Sequence, residues 1–503
     1  MNKLLKNSPF LLALIIGIYL GFRLINLTVL PIFNDEAMYL HWGQLMVQNP
    51  EEYWLVSLTD GQQPLFIWLM ALAYSIGPSH FLLAGRLVSV AVGLGSLLLF
   101  FKIGQELTNR RIGLIMALLY VAVPFALWYD RLAVKDGLIL FWASWLFYLS
   151  LRLAKTGKWR FAILASGVLG LALLTKSIAY FFIGLFPLTV LFLGLGQAGL
   201  VRSKKSRSFL LQIGLVLGIA GLFQSLLYLS PLRSNIGPKN EVFLLSFRQL
   251  LDLPVQLWRN NLYSTIIWWW QFYRLPLLAM GAVGAGALWL KRRFGLLLVL
   301  ASWILLPIGF EILRAKIYIP RYFLFTLLPW SVFVASGVDW VLKKLRSVWL
   351  QGAMFGLILF PSLVLDWQML FRVEQVKLPQ VERWQYVEGW PAGYGLTDLA
   401  AWVEEKTGQG PILLVTEQET LVSSGLPLYL AKGSGWELER RLALEGSWGE
   451  FPQDLLDESR PVFLIIHYRE SLPADWPVQE VGRLKRFDPK RFFVIYQMVP
   501  QAP

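Results

Sequence analysis

The chain has 503 residues, of which 56% are hydrophobic, 15% aromatic and only 16% charged, whereas soluble domains carry roughly 25% charged residues. A soluble fold could not hide that much apolar surface, and the apolar residues fall in runs near the ~20 residues a helix needs to cross hydrocarbon. The net charge of +14 does not mark a nucleic-acid binder, because Lys and Arg sit in short clusters between apolar runs and form no continuous basic face. The absence of Cys excludes a disulfide framework and a thiolate metal site.

Met1 to Lys6, followed by an apolar stretch to about Leu30, has the charge order of a signal peptide. The stretch is too long and lacks a small-residue cleavage site, so it is read as an uncleaved first helix. Eleven spanning helices are expected, at 9–30, 80–101, 112–129, 137–154, 161–174, 178–198, 208–229, 263–289, 294–312, 322–340 and 348–370. The basic clusters between them are Lys102/Arg110/Arg111, Arg152/Lys155/Lys158/Arg160, Arg202/Lys204/Lys205/Arg207, Lys291/Arg292/Arg293 and Lys343/Lys344/Arg346. With Lys3 and Lys6 they fall on one side, which the positive-inside rule makes cytoplasmic.

Segment 31–79 is then extracytoplasmic. It contains no Lys or Arg but five acids, Asp35, Glu36, Glu51, Glu52 and Asp60, which supports the parity. Pro64 to Gly77 is apolar but short and is read as an interfacial or re-entrant helix. A second external loop is expected at 230–262, completing a membrane domain over residues 1–372. From 373 to 503 the composition becomes that of a soluble α/β domain, with a helix at 396–407 and strands at Pro411–Thr416, Val462–Tyr468 and Phe492–Val499. Odd parity puts this domain outside.

Phe33-Asn34-Asp35-Glu36-Ala37-Met38-Tyr39 places two adjacent carboxylates where the chain leaves the first helix. Such a pair can act as general base or metal ligand, and equally as the solvated start of a loop. A second acidic site, Tyr129-Asp130-Arg131-Leu132-Ala133-Val134-Lys135-Asp136, follows the third span, where Asp130 or Asp136 could instead serve a helix N-terminus. Cations break the positive-inside pattern on the same face: Lys176, Arg233, Lys239, Arg248, Arg259, Arg314, Lys316 and Arg321. Cations beside acids suit an anionic substrate such as a lipid phosphate, and Lys316 to Arg321, at headgroup depth, is the best group. Arg23 and Arg274 lie inside expected spans, where snorkelling to the interface is the readier account of Arg23.

Phe-x-Asp-Glu-Ala-x-Tyr around Asp35-Glu36, Asp60-Gly-Gln-Gln-Pro64-Leu, Arg86-Leu-Val-Ser89, Arg131 to Asp136 and Pro320-Arg321-Tyr322 occur in that order. In this the chain resembles the bacterial branch of the dolichyl-phosphate-mannose–protein mannosyltransferase family, which includes relatives of the lipid A aminoarabinose transferase and belongs to the GT-C membrane glycosyltransferases. Gly389-Trp390-Pro391-Ala392-Gly393-Tyr394-Gly395 resembles the entry to that branch's external domain. The resemblance implies Asp35 as the catalytic acid of the first loop, Glu36 as its neighbour, Asp136 as the second cavity acid and Arg321 as a phosphate-binding cation. Lys316, Arg131 and Lys176 join Arg321 as candidates for the donor phosphate, and Tyr39, Asp60, Gln62, Gln63, Arg86 and Tyr322 as candidates for the substrate cavity. Many relatives carry Lys before the Pro of the first loop where this chain has Gln62 and Gln63, which shifts phosphate binding toward Arg321 and Lys316.

The expected activity is transfer of a sugar from a polyprenyl-phosphate carrier to a lipid, glycan or protein acceptor, inverting, with Asp35 as base, at the outer face of the plasma membrane. No cofactor is assigned. With only three His, a divalent cation would have to be held by carboxylates such as Asp35, Glu36 and Asp136. The rival class, a lipid or polysaccharide transporter, calls for paired charges at the bilayer midplane and repeated halves with broken helices. Here the acids sit at the outer loops and no repeat is apparent.

Overall fold

A computed structural model describes residues 8–196, 204–418, 420–430, 435–443, 448 and 450–499. Lys3, Lys6 and Arg202, used above to orient the chain, lie outside the described residues. The chain divides into two units: one of Met1–Leu27, Asn49–Leu69 and Leu83–Lys377, the other of Thr28–Gln48, Met70–Leu82 and Leu378–Pro503.

The first unit is helical. Among the described residues, eight helices are long and apolar enough to cross a membrane, or nine if the bent pair Arg110–Ala122 and Pro124–Asp130 forms one span. With the two shorter apolar helices that follow, these fall at the eleven positions expected from the sequence. The helices at the first and fifth expected spans, Ser8–Leu24 and Trp159–Leu173, have 17 and 15 residues, about 25 and 22 Å at 1.5 Å per residue, against a hydrocarbon core of about 30 Å. Leu65–Ile76 has 12 residues, roughly 18 Å, and is too short to cross, in keeping with an interfacial or re-entrant segment.

Proline and local sterics account for the interruptions. The bent pair turns by 63° at Val123, which Pro124 holds in extended conformation (φ −90°, ψ 119°). The long helix Val255–Leu290 breaks at Arg274, which has φ 56° and ψ 157° two residues before Pro276; the ring of Pro276 cannot continue the hydrogen-bond ladder. Between the spans Arg207–Leu229 and Val255–Leu290, the chain makes only short turns, Pro231–Asn235, Ile236–Phe243 and Phe247–Leu250.

The second unit holds a five-stranded sheet: β1 Ile412–Glu417, β2 Trp436–Leu442, β3 Val462–Ile466, β4 Val478–Lys485 and β5 Phe492–Met498. The order is β2-β1-β3-β5-β4, with β2, β1 and β3 parallel and β5 antiparallel to both β3 and β4. The expected helix is found at Leu396–Thr407. The three strands read from the sequence are β1, β3 and β5; β1 and β3 are buried along their whole length and β5 at Phe493–Tyr496. The two that were missed, β2 and β4, are the edges. Their sequences, Trp-Glu-Leu-Glu-Arg-Arg-Leu and Val-Gln-Glu-Val-Gly-Arg-Leu-Lys, carry the charges that keep an exposed edge from pairing with another chain. Leu421–Tyr429 is a helix that was also unforeseen.

Glu417 closes the C-terminal end of β1. Although fully buried, its carboxylate accepts the backbone N–H groups of His467, Tyr468 and Arg469 at 2.9, 3.0 and 3.1 Å, and His467 Nδ1 lies 3.2 Å away. Burial alone would raise its pKa, but His467 and these N–H donors hold the carboxyl below the usual range. Burial, in turn, pushes the His467 imidazole below its ordinary value despite the carboxylate, so the ring is neutral at pH 7.

Both groups bind fewer protons folded than unfolded, so both contribute stability at neutral pH that is lost on acidification. The loss begins as pH falls below the ordinary His value of about 6.5 and grows as it passes below the ordinary carboxylate value and through the depressed Glu417 value. Glu417→Gln should destabilise by about 2–4 kcal/mol, because an amide oxygen cannot serve three donors and its NH2 faces N–H groups. Thermal unfolding of the full chain in detergent should show this loss at pH 7.5, and the difference from wild type should shrink at pH 4.

Candidate active site

In the first unit, Val56–Asp60 is a 3-10 turn ended by Gly61 at φ 63°. A Cβ on Gly61 would lie 2.5 Å from the Asn235 carbonyl oxygen, so glycine is required twice, by conformation and by the close approach. Asn235 donates to the carbonyls of Leu58 and Thr59, each at 3.1 Å, and Leu65 N–H donates to Leu174 O at 2.9 Å. The loop carrying Asp60, Gln62 and Gln63 is thus tied down at both ends.

Within that frame the polar side chains form a chain of contacts. Lys239 pairs with Asp60, Gln62 donates to Asp60 at 2.6 Å, and Lys135 donates to Gln62 Oε1 at 2.7 Å and to Gln63 O at 3.3 Å. Gln63 reaches Ser177 Oγ at 2.9 Å. Beside Ser177 in sequence, Lys176 pairs with Asp136 at 2.7 Å, and its ammonium lies 4.7 Å from the centre of the Tyr322 ring. Glu311 is buried within electrostatic range of Lys176 and Arg314. Five candidates from the sequence, Asp60, Gln62, Gln63, Asp136 and Lys176, therefore occupy linked positions, with Tyr322 beside them.

Lys135 and Glu311 are not among the site residues read from the sequence, and Lys239 is there only as one of the outer-face cations. The available signals were a lysine directly preceding Asp136 and a lone acid inside an apolar run, which is expensive without a use.

The other cations divide by what they touch. Lys316 is exposed and donates to Glu241 O at 2.7 Å, while Arg321 is half-buried in the 3-10 turn Pro320–Thr326. Arg131 instead caps a helix: its guanidinium donates to the carbonyls of Phe22, Arg23, Ile25 and Asn26 at 2.7–3.0 Å, the orphan acceptors beyond Ser8–Leu24. Arg86 donates to Leu27 O at 2.9 Å, extending the same cap.

Arg23 does not snorkel. It is wholly buried, as is Asp130, with which it pairs at 3.2 Å, and it donates to the carbonyls of Val121 and Tyr120 at 2.7 and 3.1 Å. Asp130 also accepts from Tyr120 at 2.9 Å and Tyr19 at 3.4 Å. The first helix enters the bundle with its charge satisfied by protein, which removes the drive toward the interface.

In the second unit, Asp35 and Glu36 lie in the first turn of the helix Asn34–Gln48, where the macrodipole favours carboxylates. The two differ in environment. Glu36 is fully buried and accepts the Phe33 N–H at 3.1 Å; Asp35 is partly exposed. Asn34 N–H donates to Pro391 O at 3.0 Å, Phe33 packs on Tyr386 with ring centres 4.4 Å apart, and Tyr39 is buried against Trp42. Among the described residues no group of three or more His, Asp or Glu gathers to hold a metal ion.

The chain is a mostly helical membrane protein of ArnT-like fold with a small C-terminal domain of five strands. Its residues 61–225 match the sequence model of the dolichyl-phosphate-mannose-protein mannosyltransferase family, which with the fold supports a relationship to the GT-C mannosyltransferases. It is similar in structure to ArnT from Cupriavidus metallidurans in the apo state, at 15% identity, 97% coverage of both chains and TM-score 0.60. The same enzyme bound to undecaprenyl phosphate gives 15%, 97% of both chains and 0.56. The Archaeoglobus fulgidus oligosaccharyltransferase, solved with Zn and sulfate, gives 13% identity and TM-score 0.53 over 85% of this chain. The chain spans 62% of the length of that archaeal protein. No curated protein matches by sequence.

Breaking a fully buried ion pair from one side leaves an unmatched charge, at a cost of about 3–5 kcal/mol. Asp130→Leu should therefore lower thermal stability in detergent strongly, and Arg23→Leu combined with Asp130→Leu should recover part of the loss. Melting curves of the two variants beside wild type measure the difference.

Proposed function

We propose that the chain transfers a sugar from a polyprenyl-phosphate carrier to a hydroxyl acceptor at the outer face of the plasma membrane, with inversion at the anomeric carbon. The observation that carries this reading is the linked set Asp60, Gln62, Lys135, Asp136, Lys176 and Tyr322, within a fold shared with ArnT. That ArnT has been solved bound to undecaprenyl phosphate supports a lipid phosphate as the ligand here.

The proposed roles follow from residue chemistry. Asp35, the less buried carboxylate of its pair, takes the proton of the acceptor hydroxyl as its oxygen attacks the anomeric carbon. The bond from that carbon to the phosphate oxygen breaks, and the polyprenyl phosphate leaves with the electron pair. Lys176, Lys135, Lys316 and Arg321 supply positive charge for the phosphate, whose charge grows in the transition state. Lys176 is held by Asp136, so a phosphate at Lys176 joins or replaces an anion already present and need not create a new cation site. Glu36 is spent on the Phe33 N–H and keeps the first turn in place. Arg131 and Arg86 shape the end of the first helix.

Asp35→Asn keeps size and hydrogen bonding but cannot accept a proton, so transfer should fall by about 10²-fold or more. The measurement is radiolabelled transfer by the purified protein from a panel of polyprenyl-phosphate sugars, with binding of polyprenyl phosphate followed separately and expected to persist. A near wild-type rate would remove Asp35 from the chemistry, and no transfer from any donor would favour a transporter. Arg321→Ala should raise the donor KM more than Arg321→Lys, since guanidinium grips phosphate oxygens in a bidentate way and ammonium acts as a point charge. Equal donor KM in wild type and both variants would exclude Arg321 from the phosphate site.

A further inference from the structure

The second unit joins the sheet domain to residues 28–48, the segment that carries Asp35. We infer that the sheet domain sets the position of Asp35 through the loop Gly389–Tyr394, which Arg486 holds by its backbone carbonyls. This rests on the reading of Asp35 as base and adds a positioning residue more than 400 residues away in sequence.

Arg486 follows the last residue of β4 and is only 8% exposed. Among the described residues it makes no ion pair; its Nε and Nη2 are given over to carbonyls. It donates to Ala392 O, to Trp390 O at 3.0 Å, and to Gly389 O and Tyr394 O at 3.4 Å, and lies 4.9 Å from the centre of the Phe493 ring. Burial and the neighbouring Arg491 push its pKa down to about 10, so it is still a cation at neutral pH. A buried cation without a carboxylate is costly, and this one is offset by fixing four carbonyls of one loop. The loop is held from its other side by Trp390, whose ring meets Tyr468 edge-on at 5.3 Å.

What the loop holds in turn is the start of the Asp35 helix. Pro391 O accepts the Asn34 N–H at 3.0 Å, the N–H directly before Asp35. Gly393 lies so close to the preceding segment that a Cβ there would sit 2.1 Å from Ile32 O. Two further contacts fix the rest of the helix to the same domain. Gly425, in the helix Leu421–Tyr429, faces Ala37, with an added Cβ 3.5 Å from the Ala37 Cβ. Arg440 on β2 lies 2.8 Å from His41 Nε2. The helix is thereby registered at its first residue, at Ala37 in its first turn and at His41 in its middle by elements that carry no candidate catalytic group of their own. Since a shift of about 1 Å in a reacting group can cost 10²-fold in rate, such registration acts on the chemical step.

Arg486→Ala releases the four carbonyls, Arg486→Lys keeps the charge but loses the fork that reaches them, and Gly393→Ala forces the loop off Ile32. Each is tested in the full chain in detergent, with folding followed by melting curve and polyprenyl phosphate without sugar as the binding probe. The expected result is a fall in kcat of about 10- to 100-fold for Arg486→Ala and Gly393→Ala, less for Arg486→Lys. Donor KM and polyprenyl-phosphate affinity should stay within about twofold.

A double-mutant cycle separates positioning from general damage. In the Asp35→Asn background, Arg486→Ala should lower the residual rate no further, because no base remains to misplace; a merely structural loss would multiply with Asp35→Asn. Wild-type kcat in folded Arg486→Ala or Gly393→Ala, or a full multiplicative loss in the cycle, overturns the inference while leaving Asp35 as base. If Arg486→Ala fails to fold, Arg486→Lys and Gly393→Ala carry the same comparison. An Asp35→Asn protein that transfers at the wild-type rate defeats the reading of Asp35 itself, which is a distinct result.

Discussion

Hydrocarbon offers no hydrogen bond to a charge or to a free backbone carbonyl, and the helical unit is arranged around that constraint. Arg23, placed inside the first apolar helix, is compatible with burial because Asp130, Tyr120 O and Val121 O receive its N–H groups. The carbonyls left open beyond Leu24 are met by Arg131 and Arg86. Arg131 and Arg86, both candidate substrate contacts in the sequence, thus join Arg23 in fixing the first helix to the bundle.

The polar contacts of the first unit have a different character. Asp60, Gln62, Gln63, Lys135 and Ser177 are each bound to another member, and Lys176 is shared between Asp136 and the face of Tyr322. Side chains held in this way lose little further freedom when a ligand arrives, which is the condition under which fixed dipoles and charges stabilise a developing charge most effectively. Two glutamines, Gln62 and Gln63, stand in the loop, and Lys135 donates to one of them and to the backbone of the other. Positive charge is therefore present at this loop, delivered from the start of the helix Lys135–Thr156.

Two buried ionic groups organise the sheet domain, and they are mirror images in chemistry. Glu417 is an anion in a nest of three N–H groups at the C-terminal ends of β1 and β3; Arg486 is a cation in a set of four carbonyls beyond β4. Ligands of open α/β sheets commonly bind at the C-terminal ends of parallel strands. Here Glu417 itself takes up N–H donors at that end, while Arg486 fixes the loop 389–394. Both charges are in this way directed at the domain's own backbone.

The sequence by itself determined the solvent of this chain, its helical class and the change to an α/β domain near residue 372, because apolar run length and composition report directly on burial. It also determined β1, β3 and β5, whose apolar stretches Ile412–Val415, Val462–Ile466 and Phe493–Tyr496 are buried. It marked Asp60, Gln62, Gln63, Asp136 and Lys176, which prove to be linked or neighbouring. It could not reveal the edges β2 and β4, since a strand exposed on one side carries charges for reasons of solubility and loses its pattern. Nor could it single out the arginines that bind carbonyls, or tell the buried Glu36 from the partly exposed Asp35, because residue type is the same whatever the environment. Only the tertiary structure decided that Arg131 caps Phe22 to Asn26, that Arg23 pairs with Asp130 and that Arg486 reaches the loop beside Asn34. The partners in these cases are 90 or more positions apart, a separation at which local pattern carries no information about which charge meets which acceptor.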